Sequence, residues 1–121
     1  MRRIALIYRG LPLLLVTLLV PAAALAQENE TWTALDGDQI KEVFVGVVLD
    51  YPNAWQDFRA SGKTLYNAGE DSWGNWRVES DQYCSQWPPR DLWDCYDVAR
   101  RGDDIRFTDA QGNHSIGTIR Q

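Results

Sequence analysis

The sequence predicts a mainly β protein: a small antiparallel meander, curled into a partly closed barrel of about eight strands, with one short N-terminal helix behind a signal peptide. Three observations carry this. From Val47 onward, short runs rich in aromatic and β-branched residues are broken by turn residues at roughly the 8–12-residue spacing of antiparallel β proteins. The connections between those runs are all short, whereas parallel strands need crossovers of a dozen or more residues, so the strands must meander. Once the leader is set aside, residues 27–121 form one 95-residue unit, with room for one modest core and no second domain.

The leader is residues 1–26. Arg2 and Arg3 precede an apolar stretch from Ile4 to Val20, followed by Pro21 and a small-residue tract ending Ala24-Leu25-Ala26. That is the three-part pattern of a secretory signal, with cleavage expected after Ala26. The uninterrupted apolar run from Leu11 to Val20 is ten residues long and contains Pro12, against roughly 20 needed to span a bilayer. The expectation is a periplasmic or secreted product with no stable membrane insertion after cleavage.

Removing the leader removes three arginines and no acids, leaving nine bases against 17 acids, a net charge of −8. Such a domain is repelled by nucleic acid and by anionic membranes. Six Trp, four Tyr and three Phe among the 95 residues are too many aromatics for an acidic disordered tail.

The first element is a helix of about two turns. Asp36 is placed as N-cap, Gln39 as its capping-box partner, and Leu35 and Ile40 as the hydrophobic staple. Ile40, Val43 and Phe44 recur at helical spacing and Gly46 can end the element. Asp36 and Asp38 could suggest calcium, but Gln39-Ile40-Lys41 supplies none of the ligands of an EF-hand loop. Before this helix, Glu28 to Thr33 reads as a frayed lead-in.

Strands are expected at Val47–Tyr51, Trp55–Arg59, Lys63–Tyr66, Trp73–Glu79, Gln82–Trp87, Leu92–Val98, Asp104–Thr108 and His114–Ile119. Turn residues separate each pair, from Pro52-Asn53 to the Ala110–Asn113 stretch. In Trp73–Val78 the alternation puts Trp76 and Val78 on one face, inward, and Asn75 and Arg77 on the other. The Gly74-x-Trp76 stretch resembles the opening motif of lipocalin-type barrels, in which the Trp closes one end.

Two cysteines suit an oxidising compartment, where Cys84 and Cys95 pair. If Pro88-Pro89-Arg90-Asp91 is the loop of a hairpin, opposed residue numbers sum to 179. Cys84 then faces Cys95, Tyr83 faces Tyr96, Ser85 faces Asp94 and Trp87 faces Leu92. Redox or metal-binding cysteines more often occur as C-x-x-C, and zinc needs more ligands than two Cys and the lone His114.

Side chains for catalysis are sparse. None of Ser61, Ser72, Ser80, Ser85 or Ser115 lies in a nucleophile elbow beside His114. The acidic pairs Glu70/Asp71, Glu79/Asp81 and Asp103/Asp104 fall in or beside turns, where solvated carboxylates are the norm. There is no Gly-rich phosphate loop. The expectation is therefore a chain without catalytic residues, cofactor or metal. Trp73, Trp87 and Trp93 exceed what so small a core can centre. With Gln82, Gln86 and Arg90 they form the candidate binding surface, suited to stacking on a ring or gripping a peptide.

The run Gly74-x-Trp76, Tyr83-Cys84-Ser85-x-Trp87, Cys95-Tyr96-x-Val98, Gly102-Asp103 and Ile105-Arg106-Phe107 resembles a group of short exported bacterial proteins of unknown function. That group is related to a domain-of-unknown-function family, and some of its members bear the name dihydrodipicolinate reductase. The resemblance covers roughly Ile40 to Arg120 and implies a small β fold with no established activity. The reductase reaction needs a dinucleotide-binding half with a Gly-rich turn and a second substrate domain, and 95 residues lacking that turn hold neither.

The functional expectation is an exported, non-catalytic binding or interaction module of the bacterial envelope, its partner an unidentified small molecule, glycan or protein. The alternative is a periplasmic inhibitor of a cationic enzyme such as lysozyme. The charge would steer the domain toward cations, and Ser61-Gly62-Lys63-Thr64-Leu65-Tyr66 approximates, one residue too long, the Ser-Gly-x-x-Tyr loop of such inhibitors.

Overall fold

The computed structural model describes Gly10, residues 12–18 and residues 31–121. The expected signal peptide lies largely outside the described residues; of it, Gly10 and 12–18 are exposed and carry no regular element. Among the described residues no helix is long and apolar enough to cross a membrane.

Helix α1 (Gly37–Phe44) begins as its residues dictate. The Asp36 carboxylate accepts from the Gln39 backbone N–H at 2.9 Å, and the Gln39 side chain accepts from the Asp36 N–H at 2.9 Å, closing the capping box. Ile40 and Phe44, four apart and so on one face, are both fully buried. Each contributes on the order of 1.5–3 kcal/mol by leaving water. Gly46, at φ +80°, turns the chain out of the helix.

Nine strands follow or flank it: β1 (Thr33–Ala34), β2 (Val48–Tyr51), β3 (Ala54–Phe58), β4 (Lys63–Asn67), β5 (Asp71–Glu79), β6 (Gln82–Gln86), β7 (Asp94–Arg101), β8 (Asp104–Thr108) and β9 (His114–Ile119). Strands β2 to β9 pair each with the next, all antiparallel, and β9 pairs back onto β2 through Leu49 opposite Ile119 and Asp50 opposite Thr118. The barrel is thus closed rather than partly closed, and closure leaves no unpaired edge between its first and last strands.

Two further expectations are corrected. The lead-in is not wholly frayed: Thr33 and Ala34 form β1, paired with Arg100 and Ala99 of β7. Strand β7 is long enough to pair with β6 only through Asp94–Tyr96, so the rest of that edge is free to receive β1. The β6–β7 connection is also longer than four residues. Tyr83–Tyr96, Cys84–Cys95 and Ser85–Asp94 pair as expected, but the strands end there and Trp87 does not face Leu92. Pro88 and Pro89 have no N–H for a ladder, and the chain makes a seven-residue loop, 87–93, instead. Cys84 and Cys95 form a disulfide at the base of that loop.

The meander defines two poles. At one stand α1 and the turns β3–β4, β5–β6 and β7–β8; at the other stand β2–β3, β4–β5, β6–β7 and β8–β9. Phe44 projects from α1 into the barrel, its ring centroid 4.7 Å from Phe58, 5.5 Å from Tyr83, 5.7 Å from Phe107 and 6.2 Å from Trp76. With Ile40, Leu49, Val98 and Ile105 these make one core, and the helix plugs the pole. Trp76 is buried as its strand alternation requires, and its indole N–H donates to the Arg59 carbonyl at 2.9 Å.

The β5–β6 turn is tied to this plug. Ser80 and Asp81 both adopt positive φ, 49° and 57°, in a two-residue hairpin loop where Asn-Gly would be the easier choice. Asp81 holds that conformation with its carboxylate accepting the Gly37 N–H at 2.8 Å, a second anion on the first turn of α1.

Candidate functional site

Eight strands enclose an interior that side chains can just fill or that can hold one small ligand. In this barrel the plugged half is filled and the open half is not. A cavity of about 800 Å³ opens at the far pole. Alternation along each strand decides what reaches it: Tyr51 from β2, Gln56 from β3, Tyr66 from β4, Ser72 from β5, Tyr83 and Ser85 from β6, Tyr96 from β7, Phe107 from β8 and Ser115 from β9, with Trp87 just beyond β6. Every tyrosine in residues 27–121 lines it. Tyr83 and Phe107 also belong to the core, so they form the floor.

The walls are aromatic rings touching one another. Tyr51 and Tyr66 centroids are 6.2 Å apart, Tyr66 meets Trp87 edge-on at 6.0 Å, and Tyr96 meets Phe107 edge-on at 6.3 Å. Two glycines give these rings their room. A β-carbon at residue 74 would lie 2.6 Å from the Trp87 ring, and one at residue 117 would lie 2.8 Å from the Tyr51 ring. Trp87 and Tyr51 therefore lie back against neighbouring strands.

A buried polar tier crosses the floor. Tyr51 donates its hydroxyl to Gln56 Oε1 at 3.0 Å, and Gln56 Nε2 donates to Thr64 Oγ1 at 2.9 Å and to the Tyr83 hydroxyl at 3.1 Å. The Trp87 indole N–H donates to Ser85 Oγ at 3.2 Å. Tyr66, Tyr96, Ser72 and Ser115 complete the lining without entering this tier. Burial pushes the Tyr83 phenol up to about 12, against hydrogen bonds with Ser85 and Gln56 that pull it back. Tyr51 is driven further in the same direction by burial and by the neighbouring phenols, and Tyr96 is raised by burial and by Asp94 and Asp109. These phenols stay protonated across the neutral range. Among the described residues no Asp, Glu, Lys or Arg lines the cavity; His114 does, its Nδ1 2.9 Å from Thr108 Oγ1.

The structure separates the six residues of the candidate surface. Only Trp87 lines the cavity. Gln86 braces the loop that carries it, accepting from Asn75 at 3.1 Å and donating to the Asp91 carbonyl at 3.1 Å. Arg90 lies in the same loop, 3.8 Å from Asp94. Trp73, Trp93 and Gln82 are on the outer wall, where Gln82 donates to Asp97 at 3.0 Å. There each Trp is covered by a guanidinium, Trp73 by Arg59 at 4.6 Å and Trp93 by Arg77 at 4.0 Å. Trp55 meets Arg120 and Trp32 meets Arg101 and Arg106 in the same way. A carboxylate in turn holds four of these five arginines: Asp57 for Arg59, Glu79 for Arg77, Asp104 for Arg101 and Asp50 for Arg120. Such exposed ion pairs add little stability, but each orients its arginine over an indole face. The Ser61–Gly62 turn, with Ser61 Oγ accepting from the Lys63 N–H, is at the plugged pole.

The four tyrosines were the residues sequence reasoning missed. Their signal was parity: Tyr51, Tyr66, Tyr83 and Tyr96 each share a strand face with a buried residue, Leu49, Thr64, Ser85 and Val98 respectively. Among the described residues no three His, Cys, Asp or Glu are grouped to hold a metal ion.

Fold and site together define an up-and-down β-barrel with one pole plugged by a helix and the other an uncharged aromatic cup. Comparison with protein families, curated proteins and solved structures finds no match for the chain.

Proposed function

We propose that this protein is an exported, non-catalytic binding module of the bacterial envelope that holds a small uncharged amphipathic molecule in its aromatic cup. The observation that carries the reading is the cup itself: about 800 Å³, walled by four tyrosines, Trp87 and Phe107, with no Asp, Glu, Lys or Arg of the described residues in its lining. Concave, largely apolar sites with a few placed polar groups are where small molecules bind. Export rests on the leader sequence, and the Cys84–Cys95 disulfide is compatible with it. The non-catalytic reading is supported by the lining, where burial holds the Tyr51 and Tyr83 phenols protonated and, among the described residues, no three His, Cys, Asp or Glu are grouped to hold a metal ion. The test is a panel of uncharged amphiphiles, glycans and peptides, read by tryptophan fluorescence and melting temperature, with Trp87→Ala as control. Shifts lost in Trp87→Ala support the reading; a panel without a single shift removes it.

Inhibition of a cationic enzyme such as lysozyme is the alternative. Its support is the net charge of −8 over residues 27–121 and the Ser61–Gly62 turn with its exposed Ser61. Because that turn and the cup are at opposite poles, Ser61→Ala and Trp87→Ala separate the two readings. Inhibition that survives Trp87→Ala and fails in Ser61→Ala would favour the alternative.

A further inference from the structure

We infer that the ligand of the cup is a neutral, planar aromatic molecule bearing a hydrogen-bond-accepting oxygen, of the aryl ketone type; this rests on the reading of the cup as the binding site. Four features of the lining point the same way.

The first is charge. A carboxylate or ammonium entering the cup would lose water and meet no Lys, Arg, Asp or Glu among the described residues of the wall. The second is shape. Gly74 and Gly117 let Trp87 and Tyr51 lie back against the sheet, which leaves room between aromatic rings. The rings already meet at 6.0–6.3 Å with tilted or edge-on planes, and a flat ring continues that arrangement where a puckered one does not.

The third is hydrogen-bond polarity. Gln56 directs its amide nitrogen to Thr64 and Tyr83 and its amide oxygen to Tyr51, so the only amide in the lining is engaged with the protein. What faces the ligand is hydroxyl groups, of which the phenols of Tyr66 and Tyr96 stand outside that tier. A phenol donates more readily than it accepts, which calls for an oxygen acceptor on the ligand. The fourth is the count of such groups. A sugar carries hydroxyls around its whole ring, and against walls of Tyr51, Trp87 and Phe107 most of them would be buried without partners. An aryl ketone brings one acceptor.

The experiment is calorimetric titration of the purified full chain with four probes: naphthyl methyl ketone, naphthoate, the saturated decalin analogue of the ketone, and methyl glucoside. The ketone is expected to bind most tightly, with naphthoate and the decalin analogue each weaker by about tenfold or more. Tyr96→Phe removes one hydroxyl and leaves the ring. It is expected to weaken the ketone by about tenfold while leaving a control ligand without the oxygen, naphthalene, unchanged, with a melting curve confirming that the variant folds. Glucoside or the decalin analogue binding as tightly as the ketone overturns the ligand class and leaves the cup a binding site. Equal binding of naphthoate overturns the argument from charge. Failure of all four probes overturns this inference, and the wider panel above then decides the reading beneath it.

Discussion

The Trp87 ring lies across Gly74 so closely that a β-carbon at residue 74 would stand 2.6 Å from it and 2.9 Å from the Gln86 carbonyl. Gly74 has no unusual φ, so the requirement is space alone. Gly74→Ala is expected to destabilise the barrel by about 1–3 kcal/mol through overpacking and to displace Trp87 from the cup wall. Thermal melting reads the first effect, and a change in Trp87 fluorescence with weaker ligand titration reads the second. An alanine variant with wild-type stability and binding would show that the ring has somewhere else to go.

The Cys84–Cys95 bridge closes a short loop, 11 residues apart in sequence. Its loss is expected to cost about 2–3 kcal/mol, chiefly by freeing the unfolded chain. That is a drop of roughly 10 °C or more in a domain this small. The bridge also anchors the base of the 87–93 loop, so reduction should weaken binding in the cup even at temperatures where the barrel persists. Differential scanning calorimetry with and without reductant, paired with ligand titration, checks both.

The Ser80–Asp81 turn offers a contrast between two substitutions at one position. Asp81→Ala loses the carboxylate on the Gly37 N–H and keeps the positive φ, for an expected loss of about 1.5–3 kcal/mol. Asp81→Gly loses the same bond but relieves the backbone, so it should be the milder change by about 1 kcal/mol. Ser80→Gly should stabilise slightly. Urea denaturation of the three variants measures the order; Ala and Gly behaving alike at residue 81 would remove backbone strain from the account.

Alkali should unfold the barrel. The Tyr83 phenol keeps its proton up to about 12 in the folded state against an ordinary 10.0, and Tyr51 is raised too. A group raised in this way contributes its full stability below about pH 10, and that contribution is lost as pH climbs toward 12, because the unfolded chain releases the proton first. Tyrosinate absorbance and circular dichroism followed together should rise and fall in one cooperative step in that window. Titration of Tyr51 and Tyr83 near pH 10 with the sheet intact would contradict the burial argument.

Much of this architecture was legible because strands write their pattern at short range. Asp36 and Gln39 announced the helix start, and a turn centred on Pro88-Pro89-Arg90-Asp91 set the register that pairs Cys84 with Cys95 and Tyr83 with Tyr96, although the loop itself is longer. The tryptophans were harder, since hydrophobicity alone does not say which side of a sheet a ring occupies. Parity does. Trp73 and Trp76 are three apart in β5 and so take opposite faces, while Trp87 continues the inward series of Tyr83 and Ser85. What no local pattern contained was β1, whose two residues are a strand only because β7 outruns β6, and the cup, which depends on Gly74 and Gly117 sitting beside rings from other strands.

The closure of β9 onto β2 fixes where the chain enters and leaves. Thr33 pairs beside Arg100, and the Arg120 N–H donates to the Val48 carbonyl, both at the helix-plugged pole. A tether or fusion partner joined beyond Gln121 is therefore attached at the back of the vessel, across the barrel from its opening.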